Sequence, residues 1–266
     1  MARPSLGNET DLFFPRFEGQ VVDRGPYLVV RTPANPTFYW GNYLIFDAPP
    51  GERDFPRWMD LFVEELGRPP QVRHVLFGWS GGEPSAAALA PFTREGFELS
   101  EDLVLATSAV HAPPHPNTEA TFRPLETDAE WAEALEHQVL MREPHFDEAP
   151  YRDFKARQLA RYRRMADAGR GAWFGAFLGE RLVADLGLFH EGPLARYQSV
   201  ETHPDFRRRG LCGTLVWRAA EYAREHWGVK QWVIVAVSDG PATSIYTSVG
   251  FEFVERKLAL LRPPGA

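Results

Sequence analysis

The chain of 266 residues carries 29 Lys and Arg against 36 Asp and Glu, a formal charge of -7, with 44% hydrophobic residues. This composition suits a soluble globular protein of about two domains, and the acidic balance speaks against a nucleic-acid backbone as partner. The one cysteine, Cys212, excludes an internal disulfide or a cysteine-built zinc site; no apolar run reaches the roughly 18 residues of a membrane span or forms a signal-peptide core, so the expected location is cytoplasmic.

In chain order, residues 27–31 and 38–46 read as strands and 55–66 as an amphipathic helix. Residues 74–79 form another strand, followed by a Gly/Pro/Ala segment, the triplet Gly96-Phe97-Glu98 and an apolar run to Ala106. Residues 110–117 hold three prolines in eight positions, which predicts a division into domains 1–113 and 114–266. Beyond it, 121–125 reads as a strand, and Thr127 caps a helix over 128–137. A second helix over 151–168 stops at Gly169; its Lys155, Arg157, Arg161, Arg163 and Arg164 read as a solvated face. The loop between these helices carries Glu143, Asp147 and Glu148, either an attraction for an amine or an ordinary acidic loop. Strands over 172–178 and 181–189 meet at Gly179-Glu180 as a hairpin. A strand ending at Thr202, a helix over 210–227 closed by Gly228, a strand over 231–237, a short helix over 242–248 and a hairpin over 251–261 complete the chain.

The Gly-Phe-Glu triplets at 96 and 250 lie 250 − 96 = 154 residues apart, each after a strand and a short segment. They predict an internal duplication. The junction 47–55 of the first copy has one glycine and two prolines that donate no N–H, a poor cradle for phosphate.

The second copy differs at this junction, where residues 202–213 read Thr-His-Pro-Asp-Phe-Arg-Arg-Arg-Gly-Leu-Cys-Gly. Three arginines and two glycines fall where a period near 2 gives way to one near 3.6. The first N–H groups of a helix have no partner within it, and the macrodipole adds positive charge, so a phosphate is stabilised there. Glu201 adjoins this run: a raised pKa would let it take a proton, whereas strict alternation sends it to the face opposite Val200 and Thr202 as a surface carboxylate. His203, before a proline, reads as structural, and Cys212 as a small packing residue rather than a reactive thiol. No Ser/His/Asp order, metal-ligand spacing or Walker-type loop occurs, so neither a covalent acyl-enzyme nor a metal is expected.

With strand, arginine-glycine loop, helix, buried strand and tyrosine-bearing short helix in this order, residues 120–262 resemble the GNAT superfamily of acetyl-CoA-dependent N-acetyltransferases. The family's loop, Arg or Gln, two residues, Gly, one residue, Gly or Ala, falls on Arg207, Gly210 and Cys212, with Gly213 next. Asp239, then Tyr246 seven residues later, then Gly250-Phe251 is similar to the family's Asn, Tyr, Gly-Phe block, with Asp where Asn is more usual. The resemblance implies an α/β fold with a mixed sheet flanked by helices, in tandem acetyltransferase-like domains of which the first is degenerate. It implies acetyl-CoA or a related acyl-CoA held by Arg207, Arg208, Arg209, Gly210, Leu211, Cys212 and Gly213, with Val200, Glu201 and Thr202 along the pantetheine arm and Asp239 and Tyr246 beyond it. The reaction implied is acetyl transfer directly to a primary amine of a small molecule or peptide, with Tyr246 as proton donor, in a monomer or homodimer; Glu201 is the candidate base from its position alone, beside its reading as a surface carboxylate. The rivals are a non-catalytic acyl-CoA-binding or regulatory protein of the same fold, and a transferase using aminoacyl-tRNA, which the acidic balance disfavours.

Overall fold

A computed structural model describes residues 4–68, 72–238, 240 and 242–264. The chain divides into two compact units, residues 1–103 with 255–266, and residues 104–254.

In the first unit, helices α1 (Leu6–Asp11) and α2 (Phe13–Phe17) precede the antiparallel strands β1 (Gln20–Asp23), β2 (Tyr27–Arg31) and β3 (Tyr43–Phe46). Helix α3 (Asp54–Leu66) then crosses to β4 (Val75–Trp79), which lies parallel to β3 with Leu44 opposite Phe77. Parallel neighbours require such a crossover. Its core is aromatic: Phe46 stacks on Trp58 with centroids 3.8 Å apart, beside Phe62, Phe77, Phe92 and Phe97. Helix α4 (Ala86–Arg94), capped by the Ser85 side chain accepting the Ala88 N–H, leads to β5 (Glu98–Thr107). The strand expected over 38–46 is shortened, because the Asn42 side chain accepts the Thr32 N–H and donates to the Asn35 and Phe38 carbonyls, tying residues 39–41 into a 3-10 turn.

The second unit follows a similar plan. It contains β6 (Thr121–Pro124), α5 (Asp128–Leu140), α6 (Glu148–Asp167), β7 (Gly171–Leu178), β8 (Arg181–Glu191) and β9 (Leu194–Thr202). After these come α7 (Leu211–Trp227), β10 (Gln231–Val237), α8 (Ala242–Ser248) and the start of β11 (Glu252–Arg262). Strands β6 to β9 are antiparallel in sequence, and α7 crosses to β10, parallel to β9. Thr127 and Glu130 close a reciprocal capping box on α5, and Arg123 beside Glu130 holds its carboxyl at about 2. The apolar face of α7, Leu211, Leu215, Val216, Ala219, Ala220 and Ala223, is buried, and Gly228 at φ 67 ends the helix. Each unit is thus a mixed sheet flanked by helices, with a crossover helix, a parallel strand, a short helix and a Gly-Phe-Glu triplet before its last strand.

The hairpin expected over 251–261 is instead the single strand β11. Its residues 259–262 pair antiparallel with β4, Ala259 opposite Gly78, so 255–266 falls in the first unit and not in the expected domain 114–266. Nor is 110–117 a free linker. The Asn117 N–H donates to Thr214 Oγ1 at 2.8 Å and its side-chain amide to the Arg209 carbonyl at 2.8 Å, which holds the segment within the second unit.

Candidate active site

The arginine-glycine loop folds between β9 and α7 as its composition demands. Pro204–Phe206 makes one 3-10 turn, with His203 Nδ1 accepting the Asp205 N–H. The chain then passes through two left-handed residues, Arg208 at φ 61 and Gly210 at φ 72. A side chain at Gly210 would collide with the His115 carbonyl, so glycine is required on both counts. Thr214 is the first helical residue whose N–H bonds a backbone acceptor, Gly210 O at 3.1 Å. Among the described residues, the N–H groups of Arg208, Arg209, Gly210, Leu211, Cys212 and Gly213 have no protein acceptor. Arg207, Arg208 and Arg209 are all exposed; Arg207 Nε donates to the Thr202 carbonyl at 3.3 Å, and Arg209 is ion-paired with Glu119 and lies over the Phe206 ring. This positively charged row of donors fits a pyrophosphate.

The loop begins where two strands part. Strand β10 pairs with β9 through Gln231–Leu194, Trp232–Ala195 and Val233–Arg196, and no further pairing follows among the described residues, although both strands continue. On its other side β9 stays paired with β8 as far as Thr202. Val200 and Glu201 therefore keep one backbone edge open, to which an extended amide-containing arm can add as a strand would, whereas the Thr202 carbonyl accepts the Arg207 Nε–H at 3.3 Å.

Glu201 is not the surface carboxylate that strict alternation predicts. β9 carries a bulge: Ser199 has φ 48, and the register with β8 shifts between Gly187–Gln198 and Asp185–Glu201. An extra residue reverses which face the following side chains occupy. Glu201 accordingly faces Asp185, which is 0% exposed. Burial first, then the Asp185 charge, pushes the Glu201 carboxyl up to about 7, against the pull of Lys155, His137 and Arg207.

Around this pair lies a buried polar network that the sequence reading missed. Asp185 Oδ1 accepts from His137 Nδ1 at 2.9 Å and Gln138 Nε2 at 2.8 Å, and Oδ2 from Trp173 Nε1 at 3.0 Å. Lys155 Nζ donates to Gln138 Oε1 at 3.2 Å. Lys155 and Arg161, expected on a solvated face, are 7% and 4% exposed, while Arg157 and Arg164 are exposed. The signal was present: Lys155 lies on the same face of α6 as Tyr151, Leu159 and Tyr162, and Asp185 interrupts an apolar strand. In the acidic loop, Glu148 pairs with Arg142 and Arg152, whereas Glu143 and Asp147 are exposed.

Tyr246 is buried on α8, and burial together with the nearby Cys212 and Glu201 raises its hydroxyl well above 10. Cys212 is likewise pushed up to about 12, mainly by burial, which makes it an inert thiol. The Glu201 charge thus bears on both Tyr246 and Cys212. Asp239 lies outside the described residues. No described helix is long and apolar enough to cross a membrane.

Residues 131–251 match the model of the acetyltransferase (GNAT) family. Among solved structures, a Staphylococcus epidermidis protein of unknown function aligns with TM-score 0.72 and 12% identity over 93% of this chain and 95% of its own. A GCN5-related N-acetyltransferase from Kribbella flavida aligns with TM-score 0.67 and 15% identity, over 97% and 94%. A tandem GNAT protein from the clavulanic acid biosynthesis pathway aligns with TM-score 0.56 and 15% identity, over 100% and 90%. No curated protein matches the sequence.

Proposed function

We propose, from the match of residues 131–251 to the model of the acetyltransferase (GNAT) family, that this chain moves the acetyl group of acetyl-CoA directly to a primary amine of a small molecule or peptide in the cytoplasm. The observation that supports the reading is the row of six N–H groups at residues 208–213 that have no protein acceptor among the described residues, placed at the end of β9 beyond its pairing with β10.

When bound, acetyl-CoA supplies a thioester carbonyl carbon open to attack and a thiolate that can leave. The N–H groups of residues 208–213, with Arg207 and Arg208, hold its phosphates, and the open edge at Val200 and Glu201 aligns its amide arm. Glu201 takes a proton from the acceptor ammonium, freeing the nitrogen lone pair that forms the C–N bond; as the C–S bond breaks the nitrogen sheds its second proton, which returns through solvent to the Tyr246 oxygen once that residue has protonated the sulfur. A carboxyl titrating near 7 suits this task, since it is ionised at neutral pH yet basic enough to accept a proton. Tyr246 remains protonated and gives its hydroxyl proton to the departing sulfur.

Calorimetric titration of acetyl-CoA, CoA and a longer acyl-CoA into the wild type and an Arg207→Ala, Arg208→Ala variant tests the cofactor, and thiol release across an amine panel tests the transfer. Micromolar binding lost in the variant, with thiol release, is expected. Absence of binding sinks the reading; binding without release to any amine favours a non-catalytic acyl-CoA-binding protein.

A further inference from the structure

Asp185 and Glu201 are direct cross-strand partners, an arrangement that sets side chains on one face with Cβ atoms about 4.5–5.5 Å apart. Like charges so placed repel, and more strongly away from water. Asp185 is satisfied by three donors and does not need Glu201. The countercharge comes from α6. Gln138 receives Lys155 Nζ on its oxygen and gives its nitrogen to both Asp185 Oδ1 and the Ser199 carbonyl, at 2.8 and 3.2 Å, which fixes its amide from both ends. Lys155 is thereby tied to the bulge that presents Glu201.

We propose that Asp185 and Lys155 are positioning residues acting through Glu201 from opposite sides, Asp185 as a like charge across the β8–β9 ladder that makes the carboxylate hold a proton, Lys155 as the buried countercharge that makes it release one. This rests on Glu201 being the base. The other groups bearing on Glu201 are His137 from α5, Tyr151 from α6, Arg207 from the loop, Cys212 from α7 and Tyr246 from α8. His137 and Arg207 act in the direction of Lys155, and Tyr151, Cys212 and Tyr246 stay uncharged at neutral pH because burial raises each of them. Lys155 itself is lowered to about 8 by burial, so it is still largely charged where Glu201 titrates.

The test reads the carboxyl directly. Protein labelled with 13C at the glutamate carboxyl carbon is titrated by NMR in the absence of acetyl-CoA and amine, with the Glu201 signal assigned by its loss in Glu201→Gln. Lys155→Met is expected to move the midpoint up by about one pH unit and Asp185→Asn to move it down by a similar amount, the scale of a nearby buried charge. Lys155→Arg should restore the wild-type value. No movement, or movement in the same direction in both variants, overturns the proposal. Should Asp185→Asn fail to fold by circular dichroism, the Lys155→Met and Lys155→Arg pair decides. Unchanged thiol release in Glu201→Gln would remove the base and leave these shifts standing, so the two failures are distinct.

Discussion

Phe92 holds in the first unit the place that Tyr246 holds in the second. The carbonyl of each accepts the N–H of a phenylalanine five residues on, Phe97 and Phe251, both at 3.1 Å and both just past a glycine of positive φ, Gly96 and Gly250. Both rings are buried at the end of a short helix. The difference between them is a hydroxyl.

Tyr246→Phe therefore copies a side chain that the same local geometry already accommodates in the first unit. It is expected to leave the melting temperature and acetyl-CoA affinity near wild type and to lower kcat by about 10²–10⁴, the range of a lost general acid. Steady-state kinetics beside calorimetry checks this, and unchanged turnover would remove Tyr246 from the reaction.

The pH dependence follows from Glu201, raised to about 7. A base works only when deprotonated, so kcat/KM should fall tenfold per pH unit below about 7 and level off above it, with an acceptor whose ammonium titrates well above 9. Stability carries the opposite sign. The folded carboxyl holds its proton above the ordinary value of 4.5, so the folded state binds more protons than the unfolded state between about 4.5 and 7, and this contribution is lost as pH rises through that window. Melting temperature measured against pH should lose this part in Glu201→Gln.

Glu119 is ion-paired with Arg209 and would compete with a bound phosphate for it. Arg209→Ala should weaken acetyl-CoA less than Arg208→Ala does. Glu119→Gln should tighten it by about two- to fivefold at low salt, the range of an exposed ion pair. The gain should disappear at about 1 M salt, where charges are screened within 3 Å. Calorimetry at two ionic strengths decides; equal losses for the two arginines would place Arg209 on the phosphate instead.

Gly210→Ala meets two obstacles, a left-handed φ of 72 and the His115 carbonyl. Gly179→Ala meets one, since its φ is 63 but its added carbon would have open space. The second should cost about 1–2 kcal/mol and leave acetyl-CoA binding intact. The first should cost more and abolish binding, because it displaces the row of N–H donors. Thermal denaturation with binding titrations separates them.

The position of the arginine-glycine loop between a strand and a helix, and of Tyr246 on a short helix, was legible because both are contiguous or closely spaced motifs at element ends, where residue type follows from local chemistry. The inward turn of Glu201 was not, since the bulge at Ser199 breaks the alternation on which the reading depended. Lys155 was hidden by its neighbours Arg157 and Arg164, which do face solvent; only its helical phase sets it apart. The place of residues 259–262 was hidden for another reason: their partner β4 is remote in sequence, and an alternating strand does not announce which edge it joins.

Two strands are divided between the units in reciprocal fashion. β5 starts in the first unit and ends in the second, and β11 starts in the second and ends in the first. Deleting either copy would thus truncate a strand of the survivor. Neither unit can therefore be cut from the chain at its boundary without leaving a strand of the other incomplete, so a truncation meant to isolate one unit must first rebuild the missing edge.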